Sequence, residues 1–192
     1  SLVLACALNA KIKFKNTIKA FYFLPYMLGS LIVGFIFNYI FANLVPELGK
    51  ALGIKALSVN ILGTNNAMWG IIAVSLWIGC AFNTLIYIAG LQSIDTDVYE
   101  AADLDGATGF KAATKITIPL LMPTIKVCAT FALVGSLRVF DLVYVMTGGG
   151  PNHVSEVPAT LMYDNLFVKC RYGYGSAQAF FIVFECLLFS FL

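Results

Sequence analysis

The chain has 192 residues, of which 60% are apolar and 11% charged, and its mean hydropathy is +0.87. A soluble domain carries about 45–50% apolar and about 25% charged residues, so one soluble core of this size cannot hide the excess, and much of it must face lipid. With 12 basic against 10 acidic residues the net charge is only +2, which argues against a nucleic-acid-binding surface.

Residues 1–10 (SLVLACALNA) are apolar from the first position, and the lysines follow the run instead of preceding it, the reverse of a signal peptide. Residues 175–192 form an apolar run with no basic flank. A spanning helix needs about 20 residues, so both terminal segments read as cut helices of a longer chain. Between them, charge is the best ruler. No charged residue occurs between Lys19 and Glu47 or between Lys55 and Asp95. The pattern predicts a loop over 11–19, a span over 20–43, a loop over 44–67 and a span over 68–92. A polar segment over 93–119 follows, then a span over 120–146 interrupted by Arg138 and Asp141, a loop over 147–174 and the last helix over 175–192. Trp69, Tyr22 and Tyr144 fall near span ends, where amphipathic rings favour the interface. Seven lysines (11, 13, 15, 19, 111, 115, 126) border the first and third loops, and four basic residues (Lys50, Lys55, Lys169, Arg171) the alternate ones, which places 11–19 and 93–119 on the cytoplasmic side. The fold class is all-α: a polytopic transmembrane helical bundle forming a single domain over 1–192.

The five cysteines (Cys6, Cys80, Cys128, Cys170, Cys186) contain no CxxC pair, and His153 is the only histidine, so they carry no metal-site signature. Four lie in or beside apolar runs, where a thiol acts as a small hydrophobe.

Segment 93–119 reads SIDTDVYEAADLDGATGFKAATKITIP. Asp97 with Glu100 three residues on resembles a capping box, and acidic side chains suit the positive end of a helix dipole. Gly106 is placed to end that helix in a left-handed conformation. A second short helix, GFKAATKI, then follows, closed by Pro119. Val98, Ala101, Ala102 and Asp105 share a face at helical spacing, where small side chains admit another surface close to the backbone. Five carboxylates in this stretch suggest a calcium loop, but an EF-hand alignment puts Ala101 and Ala112 where carboxylates are needed. No GxxxxGK[ST] occurs, so the chain has no P-loop of its own. Taken alone, the segment also fits a solvated amphipathic connector.

Glu100-Ala101-Ala102, Gly106 after three residues, and Ile116, Thr117, Ile118 and Pro119 after nine more resemble the EAA loop of the membrane subunits of binding-protein-dependent ABC importers, EAA-x3-G-x9-I-x-L-P. Ile118 stands in place of the family's Leu. The flanking GLQSI, DGA at 105–107, FYFLP at 21–25 and FDLVYVMTGGGP at 140–151 are similar to the carbohydrate-uptake branch, on the side of its F-type maltose permeases. The chain departs from the pattern at Asp95, where relatives often carry Pro, and at Ala113, where an aromatic is common.

The resemblance implies a permease subunit that pairs with a second, different permease subunit, two ATPase subunits and an extracytoplasmic solute-binding protein in a bacterial plasma membrane. The solute implied is a sugar, oligosaccharide or polyol phosphate. ATP would be bound by the partner ATPase, so this chain holds no cofactor and is not an enzyme. Glu100 would contact the ATPase, Ala101 and Ala102 would permit close packing, and Gly106 would shape the turn, with Ile116 and Pro119 completing the coupling loop. Alternatives are a permease for a non-sugar solute, a secondary transporter, which the EAA spacing disfavours, and a membrane-embedded enzyme, for which no second motif exists.

Ionisable residues inside spans face a cavity or a partner. Arg138 and Asp141 stand three apart, close enough to pair on one helix face, and Arg138 lies about 18 Å beyond Lys126 along a helix. They read as a self-neutralising pair, as a contact to the sister subunit, or as lining of the sugar path. Ser136 is a further path candidate, because the family's ligand contacts cluster on this helix. Glu185, about 15 Å into the last span, is protonated, paired with another helix, or facing the path. Asn83 is placed to bond between helices or to line the route. The aromatics of 147–174 suit either a binding-protein contact or an interfacial belt.

Overall fold

The computed structural model describes residues 1–9, 15–54 and 58–191. Every regular element among them is helical: α1 (Leu2–Asn9), α2 (Lys15–Met27), α3 (Ser30–Tyr39), α4 (Val45–Ala51), α5 (Ala67–Gln92), α6 (Thr96–Leu104), α7 (Phe110–Ala112), α8 (Ile118–Leu120), α9 (Met122–Leu137), α10 (Asp141–Met146), α11 (Pro158–Tyr163) and α12 (Tyr172–Ser190). The all-α, multi-span architecture is the expected one. Most of the predicted loop 11–19 lies elsewhere than expected: residues 15–19 are helical, while 11–14, with Lys11 and Lys13, lie outside the described residues, as does Lys55.

Three helices among the described residues are long and apolar enough to cross a membrane: Ser30–Ala51 with 22 residues, α5 with 26 and α12 with 19. Ala113–Leu120 and α9, bent by 62° at Leu121, make a fourth if counted as one broken span. The uninterrupted α5 matches the predicted 68–92. The other boundaries require correction. The predicted span 20–43 is split at Gly29, whose φ of +78° is open to glycine and strained for other residues, and α2 also contains Pro25. The spanning helix instead begins at Ser30 and continues to Ala51, taking the first residues of the predicted loop 44–67 with it. The predicted span 120–146 breaks between α9 and α10. The predicted loop 147–174 contains α11, and α12 begins at Tyr172, three residues early.

Two continuations have one cause. A π turn, Ile40–Leu44, precedes Pro46, and another, Ala113–Thr117, precedes Pro119. A helical proline lacks an N–H and collides with the carbonyl four residues back. In each turn the residue just before the proline donates five residues back instead, Val45 N–H to Ile40 O and Ile118 N–H to Ala113 O. The widened turn takes up the collision, so Pro119 does not close the second short helix as expected: α7, the π turn and α8 run through it to Leu120.

The chain divides into two compact units. Residues 1–24 with 79–131 build one core from Ala5, Leu8, Tyr87, Leu91, Leu121 and Cys128. Residues 25–78 with 132–192 build the other from Val33, Leu62, Val74, Leu142, Val143 and Met146. On α12 the buried positions are Gly175 and Ile182, while Phe180, Phe181, Val183, Phe184, Leu187 and Leu188 are exposed, as an apolar face presented to lipid should be. Gly175 lets α12 approach the π turn Asp164–Val168: an added Cβ would lie 2.7 Å from Leu166 Cδ2 and 3.2 Å from the Leu166 nitrogen.

Gly175→Ala should therefore destabilise the protein by about 1–3 kcal/mol through overpacking, read as a lowered unfolding midpoint in detergent. Gly173→Ala, where a Cβ meets nothing within 4 Å, should leave the midpoint unchanged or raise it slightly, since alanine favours the helix.

Candidate functional site

The residues that carry the EAA pattern fold as a helix, a turn and a second helix. Helix α6 begins at Thr96, with Asp95 as its extended N-cap residue and no side-chain cap hydrogen bond. The expected capping box is therefore absent: Asp97 lies inside the first turn, where its charge still suits the helix dipole. The far end is as expected. Gly106 has φ +70°, Ala107 N–H donates to Ala102 O at 2.9 Å, and Gly106 N–H donates to Asp103 O at 3.1 Å. This pair of bonds satisfies two carbonyls of the last turn and fixes a left-handed stop that suits glycine.

The expected common face of α6 needs correction. Ala102 is 5% exposed and faces inward, whereas Val98, Ala101 and Asp105 are exposed and Leu104 is 91% exposed. A 100° step per residue separates Ala101 from Ala102 by enough for one to pack inward while its neighbour faces out. Glu100 is exposed, as are Asp95, Asp97, Asp103 and Asp105, and none of them forms an ion pair among the described residues. Of the remaining pattern residues, Ile116 is half-buried and Pro119 exposed. The Tyr99 hydroxyl meets buried Thr117 Oγ1 at 3.1 Å, tying α6 to the π turn after α7. The motif reading missed Tyr99, although a tyrosine beside the EAA triplet was a visible signal.

The intramembrane candidates separate. Arg138 follows the end of α9 and Asp141 opens α10, so the three-residue spacing does not lie on one helix and no ion pair joins them. This corrects the expected self-neutralising pair. Asp141 Oδ2 instead accepts from Ser30 Oγ at 2.9 Å. Arg138 is exposed, and Ser136 is exposed with its hydroxyl donating to Leu133 O at 2.8 Å. Glu185 is half-buried on α12, about 20 Å along the helix from Tyr172. No hydrogen bond or ion pair joins Ser136, Arg138, Asp141 and Glu185 to one another. In the other unit, half-buried Asn83 on α5 has its Oδ1 fully enclosed with no hydrogen-bond partner. A buried acceptor without a partner is costly, and few are found in folded chains.

Sequence reasoning noted the aromatics of 147–174 but not that they gather into one cluster with Phe140 and Tyr144. Phe140 stacks on Tyr144 at 5.2 Å, Tyr163 contacts both at 5.2 Å, and Phe167 lies 5.1 Å from Tyr163. The TGGGP turn follows as expected, with Gly148 and Gly149 at positive φ. Fully buried Ser155 braces it, with its hydroxyl 2.8 Å from Thr147 Oγ1 and 2.7 Å from Gly150 O.

The inward packing of Ala102 is testable. Ala102→Leu should loosen the loop by about 1–3 kcal/mol and speed tryptic cleavage at Lys111, whereas Ala101→Leu should leave cleavage unchanged.

Comparison with known proteins agrees with this geometry. The model of the family described as "Binding-protein-dependent transport system inner membrane component" matches residues 1–192. The chain is 40% identical over 179 residues to the multiple sugar-binding transport system permease protein MsmF of Streptococcus mutans, covering 93% of this chain and 62% of that protein. It is 35% identical over 181 residues to the trehalose/maltose transport system permease protein MalF of Thermococcus litoralis, covering 92% and 60%. The fold matches a chain in the crystal structure of a bacterial ABC transporter involved in the import of the acidic polysaccharide alginate, with a TM-score of 0.85, 24% identity and coverage of 99% of this chain and 68% of that one. The chain thus spans about three fifths of the length of the curated relatives it matches. It belongs to the family of binding-protein-dependent transport system inner membrane components.

Proposed function

We propose that residues 1–192 form a permease domain of an ATP-driven importer, carrying a sugar, oligosaccharide or polyol phosphate that an extracytoplasmic solute-binding protein delivers. The observation that carries this reading is the loop 93–119, with an exposed acidic helix stopped by a left-handed glycine and tied back through Tyr99. Such a helix is short, rigid and unpartnered on its outer side, which suits it to transmit ATPase closure to the spans on either side. Glu100 and Ala101 meet the ATPase, and Ala102, Gly106, Ile116 and Pro119 hold the loop in shape.

Segments 11–19 and 93–119 then face the cytoplasm of a bacterial plasma membrane, as the lysine distribution suggests. A second, different permease subunit and two ATPase subunits complete the assembly. ATP is bound and hydrolysed by the ATPase, and this chain performs no chemistry. Ser136, Arg138, Asn83 and Glu185 are the residues proposed for the solute path. A sugar solute is supported by relatives named for multiple sugar-binding and trehalose/maltose transport.

The test uses the complete permease co-expressed with its neighbouring transporter subunits, with trehalose, maltose and maltotriose as uptake probes. Gly106→Pro cannot adopt φ +70°, because the ring fixes φ near about −65°, and Glu100→Lys reverses a surface charge. Each should cut ATPase co-purification and uptake by about tenfold, a loss of about 1.4 kcal/mol in coupling, while membrane insertion stays intact. Normal uptake by both variants would remove the loop from this role, and a permease that retains no ATPase would favour a secondary transporter.

A further inference from the structure

Ser30, Gly34 and Asn38 follow one another at four-residue spacing and so form one stripe along α3. All three meet α10. Ser30 Oγ donates to Asp141 Oδ2 at 2.9 Å, at the first residue of α10. Asn38 Nδ2 donates to Met146 O at 2.7 Å and to Val145 O at 3.4 Å, at the last residues of α10. Between them Gly34 brings the helices together, so that an added Cβ would lie 3.3 Å from Val145 Cβ and 3.6 Å from Leu142 Cδ1. A helix of six residues leaves most of its terminal N–H and C=O groups without intrahelical partners, and the apolar medium supplies none. The α3 stripe therefore grips α10 at both ends and presses close in the middle.

We infer that Asp141 is a positioning residue, acting through Ser30 to fix α10 and the TGGGP turn behind it, and that it does not contact the solute. The neighbouring charge does not hold it, since Arg138 lies across the break and makes no ion pair with it. Its Oδ2 holds the Ser30 hydroxyl at 2.9 Å, so truncating Asp141 releases this end of α10 from α3. Two side-chain bonds and the close contact at Gly34 thus join α10 to α3 on one side of the break at 138–140. This inference rests on the permease reading above and assigns one of its intramembrane ions a different task.

The experiment uses the assembled transporter in proteoliposomes, with the same three sugars as probes and with basal ATP hydrolysis in the absence of solute as a second readout. Ser30→Ala and Asp141→Ala should each lower the maximal uptake rate by about fivefold with the apparent KM held within about twofold. The double variant should be no worse than the poorer single one, because both remove the same bond. Asp141→Asn keeps an acceptor oxygen for Ser30 and should restore the rate. Basal ATP hydrolysis should change in both alanine variants, whereas a residue that touches only solute would leave it unaltered.

An altered KM or sugar preference in Asp141→Asn, or additive losses in the double variant, would overturn the assignment in favour of solute contact. A normal Ser30→Ala beside an inactive Asp141→Ala would overturn it as well. Should Asp141→Ala fail to reach the membrane, the Ser30→Ala and Asp141→Asn pair still decides between the two roles. A parent transporter that takes up none of the three sugars yet hydrolyses ATP would count against the sugar reading alone, and the hydrolysis rates would still judge Asp141.

Discussion

In a bilayer interior no water is available to a stray N–H or carbonyl, and the irregularities of this fold are arranged around that constraint. The spans are not uniform rods: they contain Pro46 and Pro119 and a break at 138–140. Each irregularity frees backbone groups that need another partner. The two prolines are absorbed by π turns, whose hydrogen bonds skip one residue farther back. At the broken third span the Asn38 amide of α3 takes up the last carbonyls of α10, and the Ser30 hydroxyl holds the Asp141 side chain at its start. Thr84, fully buried in α5, follows the same rule by donating to Cys80 O one turn behind at 2.6 Å.

Outside the membrane the constraint relaxes, and surface charge becomes affordable. The α6 helix carries carboxylates that no described lysine or arginine neutralises, on a backbone held by a left-handed stop and a tyrosine tether. Solvation makes such charges cheap to keep, and a rigid scaffold keeps them in place. Those two features, a braced backbone and an unneutralised surface, are what the proposed coupling role rests on.

How much of this was legible in the sequence depended on the range of the interaction. Helix α5 could be read directly, because a long charge-free apolar run has one solution in lipid. The stop at Gly106 was equally legible, since its cause lies within two residues of its effect. The limits of the first span were not. Absence of charge measures apolar length and says nothing of the dihedral at Gly29, and Glu47 and Lys50 sit in helical turns that the charge ruler assigned to a loop. Arg138 and Asp141 were close in sequence, and proximity suggested a pair; the helix break between them is a tertiary outcome. The partner of Asp141 lies 111 residues away, where no local pattern reaches it. The Ser30, Gly34, Asn38 stripe was not read from the sequence, although small and polar residues at four-residue spacing are a pattern of helix contacts in membranes.

The π turns have an effect on registration. Each one lodges an extra residue in its helix, and a residue of α-helix corresponds to about 100° of rotation. Positions before Ala113 and after Thr117 therefore do not share a common helical wheel, and neither do those before Ile40 and after Leu44. Deleting a single residue within 113–117 would bring back the clash at Pro119 and turn α7 by about a quarter of a revolution relative to the helix that follows. A small indel at such a point is thus a rotary change as well as a strain: it alters which face of a helix meets a neighbour.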